Sequence, residues 1–142
     1  MSDAVFEHRH RVAYAECTVG NHVYYSRYLD MLEEARGEMF REAGCPLLGL
    51  QESGLGFPVI AVEMSYKGPA RYDDLLSIQL WMTEMRGIRL TVGFRILNSN
   101  GAILVEGETR HVCAGLDEKP KRLPEGMMEK MGRYLRPRDG GR

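Results

Sequence analysis

Tyr24, Tyr28, Leu32, Ala35, Met39 and Ala43 recur at three- and four-residue steps, while Arg27, Asp30, Glu34, Glu38 and Arg41 fall on the other side. That period predicts one long amphipathic helix from about Val23 to Ala43. Gly44 stands where a left-handed C-cap is needed, and Pro46 prevents continuation. Further along, the period changes to two. Leu76, Ile78, Leu80 and Met82 alternate with Ser77, Gln79, Trp81 and Thr83, and Leu90, Val92, Phe94 and Ile96 alternate with Arg89, Thr91, Gly93 and Arg95. The turn Asn98-Ser99-Asn100-Gly101 then leads into a third run, Ala102 to Cys113. Each of these strands needs a partner for its apolar face, and the only amphipathic element large enough is the helix. A strand of modest burial at Val5 to Tyr14, a turn at Cys17 to His22, a loop containing Gly49, Gly54, Gly56 and Pro58, and a strand at Val59 to Tyr66 complete the order. The expected fold is α+β, an antiparallel five-stranded sheet wrapped around a long central helix. Such an open sheet keeps unpaired edges, and edge-to-edge pairing in a dimer removes them.

With 142 residues, 44% hydrophobic and 27% charged, the chain suits a single domain, here residues 1–136, with a basic link between Pro120 and Pro124, a short helix at Met127 to Leu135 and a frayed tail at 137–142. A net charge of −1 offers no general attraction to nucleic acid. The three cysteines, Cys17, Cys45 and Cys113, are odd in number and widely spaced, which fits a reducing compartment better than a disulfide framework. The polar start at Met1 to Arg11 lacks the apolar run of a signal peptide, and no stretch matches a membrane span, so a cytoplasmic location is expected. Phosphate-loop, dinucleotide-binding and nucleophile-elbow motifs are missing from the sequence.

The segment Tyr14-Ala15-Glu16-Cys17-Thr18-Val19-Gly20-Asn21-His22-Val23-Tyr24-Tyr25-Ser26-Arg27-Tyr28-Leu29, followed by Glu33-Glu34-Ala35-Arg36, resembles the opening of the 4-hydroxybenzoyl-CoA thioesterase family of hotdog proteins. The resemblance continues through Tyr66 to Asp74, Met85-Arg86-Gly87 and Lys119 to Pro124. It implies the hotdog fold, assembly as a homodimer or homotetramer, and hydrolysis of acyl-CoA or acyl-carrier-protein thioesters. No separate cofactor is implied, since coenzyme A or phosphopantetheine arrives as part of the substrate. One departure matters: the family's acidic residue falls at Thr18, and the usual glycine three residues later is Asn21. Threonine carries no charge near neutral pH and does not replace a carboxylate as base or nucleophile without help from other groups. Related enzymes that release polyketide chains also lack that acid and rely on polar groups and an arginine on the central helix, a position matched by Arg36.

Thioester hydrolysis needs an activated water and donors aimed at the developing oxyanion. The expected donors are the backbone amides of Tyr24 and Tyr25 at the helix start, with Thr18 and Asn21 either capping them or positioning a catalytic water by their side chains. His22 has a reference pKa suited to proton transfer, with an ordinary helix-start hydrogen bond as the plainer reading. Glu33 and Arg36 either form an intrahelical ion pair or face the groove, Glu33 as base and Arg36 as anion holder. Tyr28 is a core residue or a substrate contact. Arg86, Arg89, Lys121 and Arg122, with Lys119, are candidates for coenzyme A phosphates or an acidic carrier protein, or else a solvated basic surface. His8 and His10 lack the companions of a metal site. The alternative to an enzyme is a hotdog module that binds acyl thioesters after losing the family carboxylate; a dehydratase on 3-hydroxyacyl thioesters is the third reading.

Overall fold

The computed structural model describes residues 5–138. In chain order the elements are β1 (Phe6–Arg11), a 3-10 turn (Tyr14–Glu16), β2 (Cys17–Thr18), β3 (His22–Val23), α1 (Arg27–Ala43), α2 (Leu47–Glu52), β4 (Leu55–Gly56), β5 (Val59–Tyr66), β6 (Leu75–Arg86), β7 (Arg89–Leu97), β8 (Ile103–Val112), β9 (Ala114–Gly115), α3 (Glu125–Met131) and a final 3-10 turn (Gly132–Tyr134). Five strands form one antiparallel sheet in the order β1-β6-β7-β8-β5, so β1 and β5 hold the edges. This is the expected hotdog architecture.

The period-two runs sort as their sequence requires. Leu76, Ile78, Leu80 and Met82 of β6 and Leu90, Val92, Phe94 and Ile96 of β7 are buried and meet Tyr28, Met31, Leu32, Ala35, Met39 and Phe40 of α1. Truncating one such side chain, as in Leu80→Ala, costs about 2–5 kcal/mol. Gly44 ends α1 in the left-handed region at φ 90°, where a side chain would clash with its own backbone.

The helix begins later than its period suggests. Tyr24 and Tyr25 continue the spacing but are exposed, at 46% and 60%, and α1 starts at Arg27 with Ser26 as its cap residue. The chain before it is a small β2–β3 hairpin whose turn residues Gly20 and Asn21 lie at φ 102° and 63°. The segment expected as a loop after Pro46 holds α2, whose Leu47 and Leu50 pack against the core beneath it. At the far end, the Leu135 segment runs parallel beside Met82, and the Arg136 N–H donates to the Met82 carbonyl at 2.7 Å. On the outer face, Trp81, the single tryptophan, stands over Gly93 between the guanidinium groups of Arg95 and Arg136, 5.3 and 5.0 Å from the ring centre. In the stretch read as a frayed tail, Arg138 donates to Glu108, while residues 139–142 lie outside the described residues.

Candidate active site

Two depressions lie along α1. The first is at its start, an open hollow of about 380 Å³ lined by His22, Val23, Tyr25, Tyr28, Tyr66, Lys67, Gly68 and Pro69. The Tyr24 N–H is already engaged, donating to the Glu16 carbonyl at 2.9 Å, so Tyr24 is corrected as an oxyanion donor. The next amide, Tyr25, has no acceptor among the described residues. Neither expected cap occupies the helix start. The Thr18 hydroxyl donates to the Val19 carbonyl at 3.0 Å, and the Asn21 side-chain oxygen accepts from the Tyr72 N–H at 3.0 Å. Both residues are exposed on the β2–β3 hairpin, outside the lining of the hollow. His22 is exposed at its rim. Tyr28 is buried, and its hydroxyl accepts the Ala70 N–H at 3.2 Å. Burial pushes that phenol's pKa up, and the Ala70 contact partly offsets the rise. The Tyr66 hydroxyl donates to the Tyr25 carbonyl at 3.4 Å.

The second depression is a cavity of about 250 Å³ beside the later turns of α1, lined by Glu33, Arg36, Phe40, Leu47, Gln51, Leu55, Gly56, Phe57, Leu90 and His111. Glu33 and Arg36 both reach it, yet they form no ion pair with each other, and the intrahelical salt bridge is corrected to a through-space attraction. His111 is buried, with Nδ1 3.0 Å from the Phe57 carbonyl and Nε2 2.9 Å from the Thr109 hydroxyl. A carbonyl only accepts, so Nδ1 carries the proton and Nε2 accepts from Thr109. Burial pulls the His111 pKa down to about 4; the Phe57 bond opposes this and the Arg36 charge adds to it. The ring is therefore neutral at pH 7. Sequence reading missed His111, Thr109 and Gln51. The signal for the first two was their register: they continue the buried row begun by Val105, where an apolar residue is the rule.

The basic candidates gather at one end of the sheet. Arg86 and Arg89 face each other across the β6–β7 turn, and the link holding Lys121 and Arg122 is tied there by Leu123 N–H to the Gly87 carbonyl at 2.8 Å and Lys121 N–H to the Cys113 carbonyl at 2.9 Å. This is also the end where Leu90 and His111 enter the cavity. His8 and His10 bond instead to Glu34 and Glu16, each at 2.9 Å, and no metal-binding group of side chains occurs among the described residues.

A helix start with an open amide and a carboxylate facing a cavity along one central helix are features that a hotdog thioester-processing protein would use. Comparison with known proteins agrees with that class. The profile of the thioesterase-like superfamily matches residues 12–131, and the acyl-CoA thioester hydrolase YbgC of Escherichia coli is 35% identical over 129 residues, 90% of this chain and 96% of that protein. Among solved structures, a hypothetical protein from Thermus thermophilus superposes with a TM-score of 0.84 at 29% identity, covering 89% of this chain and 96% of that one. A probable thioesterase from Bartonella henselae gives 0.80 at 29% identity, covering 84% and 99%. The chain belongs to the thioesterase-like superfamily.

Proposed function

We propose that the protein is an acyl-CoA thioester hydrolase whose active site is shared between two subunits of a homodimer. The observation that carries this reading is the position of the two depressions relative to β5. The hollow at the start of α1 lies beside Tyr66 to Pro69, at one end of the strand, and the cavity with Glu33 lies beside Phe57, at the other. Strand β5 is an apolar edge, with Val59, Ile60, Val62 and Tyr66 exposed. Two-fold pairing of such an edge runs antiparallel, so the Tyr66 end of one subunit meets the Val59 end of the other. The pairing brings the Tyr25 amide of one protomer toward the Glu33 carboxylate of its partner.

In that site Glu33 takes a proton from water, the hydroxide adds to the thioester carbonyl, and the oxyanion is held by the Tyr25 N–H with the positive end of α1 behind it. Collapse expels coenzyme A as its thiolate, which takes the proton back from Glu33 and leaves as the thiol. Arg86, Arg89, Lys121 and Arg122, at the Glu33 end, supply charge for its phosphates, and the same surface suits an acidic carrier protein. His22 at the rim is a second candidate for proton handling.

The test uses thiol release from a panel of acyl-CoA and acyl-carrier-protein substrates. Tyr25→Pro removes the amide and Glu33→Gln the base, and each is expected to lose at least about a hundredfold in kcat. Mixing the two variants regenerates one intact site per heterodimer, or about a quarter of wild-type activity from a random mixture. Silence of the wild type on both substrate classes sinks the enzymatic reading. Thr18 favours a second reading, a thioester-binding module without turnover, which predicts saturable binding and a gain of hydrolysis in Thr18→Asp.

A further inference from the structure

The cavity beside α2 contains a guanidinium with no hydrogen-bond partner among the described residues. Arg36 is half-buried, and burial pulls its pKa down, with the nearby Glu33 carboxylate opposing the shift. It remains a cation at any ordinary pH, yet it has no hydrogen bond or ion pair among the described residues. Glu33 attracts it through space without a hydrogen bond, and the other lining residues carry no charge. His111 is neutral and both its nitrogens are committed, to Phe57 and Thr109. Phe40, Leu47, Leu55, Phe57 and Leu90 make the walls apolar, and Gln51 is the one other neutral polar side chain on the lining. A guanidinium against such walls becomes costly to keep unpaired as water is displaced. An alkyl chain entering the cavity would increase that cost by excluding more water, whereas a carboxylate would cancel it.

We propose that this cavity is the acyl pocket and that it selects acyl groups bearing a carboxylate at the end away from the thioester, with Arg36 as the anion anchor. The inference rests on the thioesterase reading, and it identifies the substrate class of that site. Glu33 is exposed, and Arg36, half-buried, follows it by three residues, roughly one turn or 4.5 Å along the axis. The carboxylate that activates water thus faces the thioester, and the guanidinium faces the far end of the acyl group. A cavity of about 250 Å³ holds about eight to twelve non-hydrogen atoms, taking the share of a water molecule as an upper bound for each. That size fits short dicarboxylic acids carried as monothioesters.

Matched substrates isolate the effect, because the coenzyme A half is identical within each pair. Adipyl-CoA is compared with hexanoyl-CoA, and glutaryl-CoA with pentanoyl-CoA, for the wild-type chain and Arg36→Met. The wild type is expected to favour the diacid in kcat/KM by roughly ten- to a hundredfold, the range of a charged hydrogen-bonded contact. Arg36→Met is expected to bring the ratio to unity or below. Equal kcat/KM within the wild-type pairs overturns the proposal even if Arg36→Met does not fold, while turnover of hexanoyl-CoA in that case leaves the thioesterase reading standing. A proportional loss on both members in Arg36→Met also overturns it, since that assigns Arg36 to the thioester group they share. If no thioester turns over, non-hydrolysable thioether analogues of the same pairs are titrated by calorimetry. Tighter binding of the acidic analogue, lost in Arg36→Met, supports the pocket; equal or weaker binding sinks it.

Discussion

Strand β1 and strand β5 both stand at an edge of the sheet, yet one reads Phe-Glu-His-Arg-His-Arg and the other Val-Ile-Ala-Val-Glu-Met-Ser-Tyr. The polar side chains of β1 are spent locally: His8 bonds Glu34, His10 bonds Glu16 and Glu7 bonds Ser77. Adding another strand there would bring charged side chains against it, which is how natural edges resist association. On β5 the exposed side chains are mostly apolar, and Glu63 is its one charged residue, facing Arg110. An edge of that kind invites pairing. The contrast teaches which side of the monomer is finished, and the unfinished side is flanked by both depressions.

The comparison is broken most severely by giving β5 the character of β1. Ile60→Lys combined with Val62→Lys is expected to yield monomers by sedimentation and to lower thiol release by at least about a hundredfold, because the base and the oxyanion donor are then separated. Dimers with full activity would refute the shared site. Next in size is His111, which bonds the chain just ahead of β5. Its folded pKa of about 4 lies below the ordinary 6.5, so the unfolded chain takes up the proton first as pH falls. Stability from this group is therefore complete above about pH 6.5 and declines toward pH 4, by at most about 3 kcal/mol. His111→Gln should flatten that part of a melting-temperature profile. Third, a Cβ at Gly107 would run into the Glu63 carbonyl, so Gly107→Ala is expected to push β5 away and cost about 2 kcal/mol. Faster amide exchange along β5 than along β1 would localise the effect. Smallest is His8→Gln on β1, whose partner Glu34 is half exposed; a change within about 0.5 kcal/mol in chemical denaturation is expected.

Much of the fold could be read in one dimension because its period is carried by residues that are in fact buried. Leu76 to Met82 and Leu90 to Ile96 sort as their alternation demands, and Gly44 ends the helix where its backbone freedom is needed. The helix start was misplaced because Tyr24 and Tyr25 continue the apolar spacing while their rings stand in a surface aromatic cluster, 4.7 Å apart. Periodicity does not say whether an aromatic ring faces the core or the site. Six-residue α2 escaped notice because Gly49 lies inside it and Pro46 before it, both of which read as loop. In the site, Glu33 and Arg36 were legible from the Glu-x-x-Arg spacing, but their failure to pair was not, since it depends on a cavity built by α2, β4 and β8. His111 was invisible for a related reason: it looks like a polar interruption of a strand until Phe57 and Thr109 are placed around it.

Trp81 has a practical corollary. Its indole lies on the convex side, gripped by Arg95 and by Arg136 of the carboxy-terminal segment, and it belongs to neither depression along α1. As the sole indole chromophore of the chain, it makes intrinsic fluorescence a gauge of whether that last segment is latched. The same emission would stay nearly blind to a guest settling beside Arg36.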